Sequence, residues 1–337
     1  MLKVVITTIQ QPTECMLRFS DKLQSMHVGF VVAGDTKGPE SYDLPNTTFL
    51  DMESQRLSGF TIAEKLPVKH YARKNMGYLR AIQDGATCIY ETDDDNRPAD
   101  HWNLRQQTVE GSSSPSEEGG WVNVYKYFTD ALIWPRGLPL DQIQQPLPAL
   151  ERNEGSMASP IQQGLVNNAA DVDAIWRLTM DRPFYFDEQK QTSVYLKPGS
   201  WSPFNTQSTW WWPMAYPLLY IPSYCSFRMC DIWKSFIAQR CLWAMDLGVT
   251  FHAPEVIQDR NVHDLNKDFE DEVPGYLYNE RIREVLESLS LKPGEDGVIS
   301  NLYSCYEALV KHEIFPTDEL PLVEAWCNDL RRLGVGS

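Results

Sequence analysis

Positive charge is what this sequence is short of. Lys and Arg number 30 against 46 Asp and Glu, a net charge of −16. Nucleic-acid binding draws on cations that displace counterions from phosphates, so no nucleic-acid partner is expected. An acidic chain is compatible with a divalent cation. The one long uncharged run, residues 198–227, is interrupted by Pro203, Pro213, Pro217 and Pro222 and carries Asn, Gln, Ser and Thr, so it does not read as a membrane span. The opening MLKVVITTIQ lacks the apolar stretch of a signal peptide. Seven cysteines are an odd number and include no CxxC pair. Cys225, Cys230 and Cys241 come nearest to clustering, without completing a zinc spacing. They read as reduced thiols, and a cytoplasmic protein is expected. No internal repeat or low-complexity tract is visible. The surplus is in aromatics, with 11 Trp and 15 Tyr, which pack cores or line pockets.

A chain of 337 residues can bury a sizeable core in one large domain or two modest ones. Its first 125 residues alternate between strand and helix signals. KVVITTI, MHVGFVVAG and the weaker TTFLDM read as strands. NMGYLRAIQDGA places Met76, Leu79 and Ile82 at helical spacing, with Gly85 suited to a C-cap. TCIYETDDD then reads as a buried strand ending in charge. Strands alternating with helices imply a mostly parallel sheet, and in such sheets ligands sit beyond the C-terminal ends of strands. GWVNVYKYF, 120–128, is expected to be another strand, after a polar Gly/Ser connection. Residues 160–215 read as strands and loops rich in Trp. Residues 230–248 read as a strong helix ending at Gly248, and three amphipathic helices follow from about 275. The expected division is 1–274 as an α/β domain and 275–337 as a small helical tail.

Three adjacent aspartates, Asp93, Asp94 and Asp95, repel one another unless they are solvated or held by something positive. At a strand end, alternation puts Asp93 and Asp95 on one face. Two carboxylates on one face suit a hard cation, Mn²⁺ or Mg²⁺, that keeps positions open for phosphate oxygens. Cations stand nearby in VKHYARKN, which supplies Lys69, His70, Arg73 and Lys74, and Asn75 could cap the helix that follows. A solvated basic turn is the plainer alternative.

RKNMGYLRAIQDGATCIYETDDDNRP, 73–98, resembles the signature of GT-A-fold, STELLO-like glycosyltransferases and, more distantly, of reversibly glycosylated polypeptides, which are UDP-arabinopyranose mutases. WPRGLPL, QQGLVNNAADVDAIWRLT, SPFNTQSTWWW, FRMCDIWKSFIAQRCLW and QDRNVHDLNKDFEDE continue the resemblance in order to about residue 275. It implies a GT-A-type nucleotide-diphospho-sugar transferase fold, a Rossmann-like mixed sheet flanked by helices. Asp93 and Asp95 would hold the metal, with His263 as a third ligand and His252 a weaker rival. Thr7, Thr8, Ile9 and Gln10 would lie near the base, and Asp35 near the base or ribose. Arg73, Lys74 and Asn75 would lie near the diphosphate, and Asp94 would also face the donor. Arg136 matches the arginine that becomes glycosylated in the mutases and could instead contact the diphosphate or be structural. The mutase continuation GYPFSLRE does not follow it.

Asp231 is the candidate base that deprotonates an acceptor hydroxyl, or an N-cap, or both. Asp173 could contact the donor or begin a helix, and Asp171 reads as structural. Trp210, Trp211 and Trp212 could stack on sugar rings, although at least one should be core. The expected function is a metal-dependent glycosyltransferase with a nucleotide-sugar donor, a UDP-sugar foremost, and a glycan or other hydroxyl acceptor. A nucleotide-sugar mutase and a non-catalytic scaffold are the alternatives.

Overall fold

The computed structural model describes every residue except Glu118, Asp181, Val262, His263 and Ser337. Eleven strands form the main sheet: β1 (Leu2–Thr7), β2 (Gly29–Ala33), β3 (Thr47–Leu50), β4 (Cys88–Thr92), β5 (Asn96–Pro98), β6 (Ser113–Pro115), β7 (Leu150–Arg152), β8 (Ile161–Asn167), β9 (Val194–Leu196), β10 (Ser208–Trp211) and β11 (Val249–Gln258). The helices are α1 (Glu14–Ser25), α2 (Met52–Arg56), α3 (Lys74–Gln83), α4 (Ala174–Met180), α5 (Cys230–Trp243), α6 (Leu265–Glu287), α7 (Val298–Lys311) and α8 (Leu320–Arg332).

The sheet runs β3-β2-β1-β4-β10-β8-β11-β9-β6-β7, with β5 paired to β11. Its first four strands are parallel, as the alternating pattern requires. β10 then enters antiparallel between β4 and β8. The result is a GT-A-like mixed α/β sheet with helices on its faces. Gly85, at φ +77°, ends α3 as a left-handed residue that glycine adopts without a Cβ penalty.

The stretch 120–128 departs from expectation. Only Gly120–Trp121 is extended, and Val124–Tyr127 forms a 3-10 turn. Its buried residues Val124, Tyr125 and Phe128 are spaced as in a helix turn rather than alternating. The Trp triplet is wholly core. Trp210 donates to Glu255 (2.6 Å) and Trp211 to Glu91 (2.7 Å), and Trp212 is buried beside them, so none is free to stack on a sugar.

The three C-terminal helices form as expected, but α6 begins at Leu265 and runs unbroken through residue 275. Side chains of α7 and α8 share one apolar core with β1, α3 and α5. Two buried tail carboxylates hold the main body. Glu319 accepts the backbone N–H groups of Ser223 and Tyr224 and the Tyr220 hydroxyl. Asp329 accepts those of Thr61 and Ile62. No described helix is long and apolar enough to cross a membrane. All seven cysteines are free thiols.

Candidate functional site

A cavity of about 400 Å³ opens beyond the C-terminal ends of β1, β2 and β4. Thr7, Thr8, Ile9, Gln10 and Asp35 line one part of it. Asp93, Asp94 and Asp95 project into it from the turn that follows β4, and Arg136, Asp171 and Asp231 close another part. The aspartates are thus not on the strand, and alternation is not what gathers them. A turn closed by the Asn96 N–H on the Asp93 carbonyl does so (3.3 Å).

That turn is fixed from several sides. Thr13 caps α1 through the Met16 N–H (3.1 Å) and donates its hydroxyl to the Asp94 carbonyl, so the turn lies against a helix N-terminus that favours negative charge. The Thr8 hydroxyl donates to Asp94 Oδ2 (2.5 Å). Asp93 Oδ1 accepts from the Tyr71 hydroxyl (2.6 Å) and from the buried Lys74 ammonium (3.0 Å). Asp95 Oδ2 accepts from Gln258 (2.9 Å), and among the described residues Oδ1 is buried without a hydrogen-bond partner. Burial, then the charges of Asp93 and Asp94, push the Asp95 carboxyl up to about 7. Burial also raises Asp94.

An orphaned buried carboxylate oxygen beside two further carboxylates fits a hard cation. Among the described residues no group of three or more His, Cys, Asp or Glu side chains is gathered that could by itself hold a metal ion. His263 lies outside the described residues. His252 is buried in β11 between Ser193 (2.7 Å) and Gln162 (3.0 Å), away from the cavity, and burial holds its ring well below the usual histidine range.

The basic cluster ahead of α3 divides differently from the expectation. Arg73 is buried and donates to the Ala63 carbonyl (3.1 Å). Asn75 does not cap α3; its amide pairs with the backbone of Ile221 in both directions (2.8 and 2.9 Å). Lys74 lies beneath the site, where it holds Asp93, the Thr92 carbonyl (2.7 Å) and the Tyr71 hydroxyl (2.8 Å). None of the three lines the cavity, whereas Lys37, Lys69, Tyr71, Phe227 and Arg228 do. Their approach depends on how distant loops meet. The one signal in reach was Lys69, four residues from Arg73 in the same basic stretch.

Asp35 acts as a pin. Its Oδ2 accepts the His70 N–H (2.9 Å) and its Oδ1 the Thr36 N–H (2.6 Å). Burial alone would raise this carboxyl; the backbone N–H groups of Lys69, His70 and Thr36 hold it below the usual range.

Arg136 is 5% exposed and fully engaged. It forks onto Asp171 (2.8 and 2.9 Å) and Asp231 (2.9 and 2.8 Å), and its Nη1 also donates to the Arg228 carbonyl. Against burial, the two carboxylates hold its charge more firmly than usual. With all three nitrogens occupied, Arg136 is not presented for glycosylation. Asp231 is not the N-cap of α5, a place Met229 takes, but lies in its first turn. Both Asp231 oxygens accept guanidinium N–H groups, so this carboxylate meets the cavity as one half of an ion pair. Asp171 is likewise tied to Arg136 and to Asn205 (2.8 Å). Asp173 stands off the cavity and supports the start of α4 by accepting the Trp176 N–H (2.8 Å), with Trp134 on its other oxygen (2.8 Å).

Comparison with known proteins adds the lineage. Residues 228–336 match the family model for STELLO glycosyltransferases. The chain is 29% identical over 271 residues to "Probable glycosyltransferase STELLO2" of Arabidopsis thaliana, covering 75% of this chain and 35% of that protein. It is 28% identical over 269 residues to "Probable glycosyltransferase STELLO1" of the same plant, covering 74% and 34%. The chain thus spans about a third of the length of these relatives. On these matches the chain is STELLO-like.

Proposed function

We propose that this chain is a metal-dependent glycosyltransferase domain that uses a nucleotide-sugar donor, a uridine diphosphate sugar foremost, and delivers the sugar to a hydroxyl acceptor. The observation that carries the reading is the buried Oδ1 of Asp95, without a hydrogen-bond partner among the described residues and set in a cavity between the β1 and β2 ends and the Arg136 clamp. The family match and the names of the relatives support its glycosyl-transfer part.

Asp93 and Asp95 would hold Mn²⁺ or Mg²⁺. When bound, such a cation offsets the charge that develops on a departing diphosphate. The remaining work belongs to the chain. Thr7, Thr8, Ile9 and Gln10 offer backbone and hydroxyl groups to the nucleoside. Lys74 and Tyr71 hold Asp93 Oδ1 and aim the carboxylate. Arg136 fixes Asp171 and Asp231 as hydroxyl acceptors that orient the sugar, a role that leaves their ion pairs intact.

The test is a thermal-shift panel of nucleotide sugars and free nucleoside diphosphates, each with Mn²⁺, Mg²⁺ or chelator. A ligand at about 100 times its Kd adds roughly 2.7 kcal/mol. A shift that requires metal, favours one nucleotide and is lost in Asp95→Asn is expected. If no nucleotide shifts the wild-type protein with any metal, the reading fails and a scaffold role takes its place.

A further inference from the structure

The cavity's positive charge is unevenly committed. Four cationic side chains line it, Lys37, Lys69, Arg136 and Arg228. Arg136 is consumed by Asp171 and Asp231, and Arg228 donates twice to Glu272 (3.0 and 2.8 Å). Lys37 and Lys69 are exposed, and among the described residues neither has a carboxylate within ion-pair distance. Lys69 also sits at φ +56°, a left-handed conformation that costs a side-chain-bearing residue roughly 1–2 kcal/mol and persists only where its surroundings impose it.

The surroundings are visible. Asp35 takes the next N–H, that of His70 (2.9 Å), and His70 Nδ1 in turn accepts the Ala72 N–H (3.0 Å). Lys37 lies in the turn on the other side of Asp35, closed by the Gly38 N–H on the Asp35 carbonyl (2.8 Å). One buried carboxylate therefore sets the backbone beside both free cations. Strain held in place next to an unpaired ammonium, in a cavity crowded with carboxylates, points to a ligand anion.

We infer that Lys37 and Lys69 form the phosphate-binding arm of the cavity and take the donor's diphosphate, in place of the Arg73, Lys74 and Asn75 set that the sequence suggests. The inference rests on the nucleotide-sugar reading. The arm meets the diphosphate from the β2 side, and the aspartate turn meets it from the β4 side through a cation.

The experiment measures Kd by calorimetry for two pairs, UDP with uridine and GDP with guanosine, in wild type and in Lys69→Gly, Lys69→Arg and Lys37→Ala. Lys69→Gly removes the ammonium at a backbone position glycine adopts freely, so the loop keeps its course. A charge-assisted hydrogen bond to phosphate at a solvent-accessible site corresponds to roughly tenfold in affinity. Lys69→Gly and Lys37→Ala should each weaken the bound diphosphate by about that factor and leave its nucleoside unchanged, while Lys69→Arg stays within about threefold of wild type. Equal weakening of diphosphate and nucleoside, or no change in either, overturns the inference while the nucleotide-sugar reading stands. A wild-type protein that binds neither diphosphate brings down both.

Discussion

Lys234→Met is the substitution whose cost can be reasoned most fully. Lys234 on α5 and Glu91 on β4 form a buried ion pair, 1% and 0% exposed, at 3.1 and 3.2 Å. The ammonium also lies over the rings of Trp211 (4.5 Å) and Tyr78 (5.2 Å). Glu91 keeps two further donors, Trp211 Nε1 (2.7 Å) and the Tyr78 hydroxyl. Breaking a buried pair by removing one partner typically costs about 3–5 kcal/mol. The two remaining donors partly compensate the orphaned carboxylate, which brings the expected loss to about 2–3.5 kcal/mol.

Urea unfolding of wild type and variant at pH 7 measures the loss. At about 2 °C per kcal/mol, melting at pH 7 should fall by roughly 4–7 °C. The double variant Glu91→Gln/Lys234→Met should recover most of the loss, because no uncompensated charge remains. A loss under 1 kcal/mol at pH 7, or a double variant no more stable than Lys234→Met, would refute the reasoning.

Asp173 offers a titration. Burial raises its carboxyl to about 6, so it destabilises the fold increasingly as pH rises from about 4 to 6, by an order of 3 kcal/mol once fully ionised; Asp173→Asn should flatten that part of the stability–pH curve, and an unchanged curve would argue against it. Arg136→Lys keeps the charge but cannot fork onto both Asp171 and Asp231, and a loss of about 2–3 kcal/mol in urea unfolding is expected, against near-wild-type stability if the clamp is ornamental. Two glycines separate steric from backbone costs. A Cβ on Gly248 would fall 1.9 Å from the Leu196 carbonyl oxygen, whereas one on Gly85 meets nothing within 4 Å and costs only its positive φ. Gly85→Ala should lose about 1 kcal/mol, and Gly248→Ala at least three times as much or fail to fold.

What was readable in the sequence divides along a physical line. β1, β2, α3 and β4 announce themselves because each is specified by its own residues: β-branched runs, apolar residues at helical spacing, and a glycine at a left-handed cap. The aspartate turn was readable for the same reason, since an apolar strand that ends in three carboxylates carries its oddity locally. The facing of Arg73, Lys74 and Asn75 was not. Arg73 precedes α3 and Lys74 and Asn75 open it, and where each side chain points is decided by partners elsewhere in the chain, Ala63 for Arg73 and Ile221 for Asn75. The Trp triplet looked exposed as a string of rings. It is buried because β10 inserts between β4 and β8, a pairing that joins residue 211 to residues 89 and 161. Phe227 shows the converse. It is 54% exposed at the cavity, displayed by a loop that Glu319, ninety-two positions later, holds from the tail helices. Chemistry that one segment carries alone can be read from that segment. Chemistry assembled by a sheet crossover or a tail carboxylate can be read only from the fold, and in this cavity that includes the two cations left free to meet a ligand.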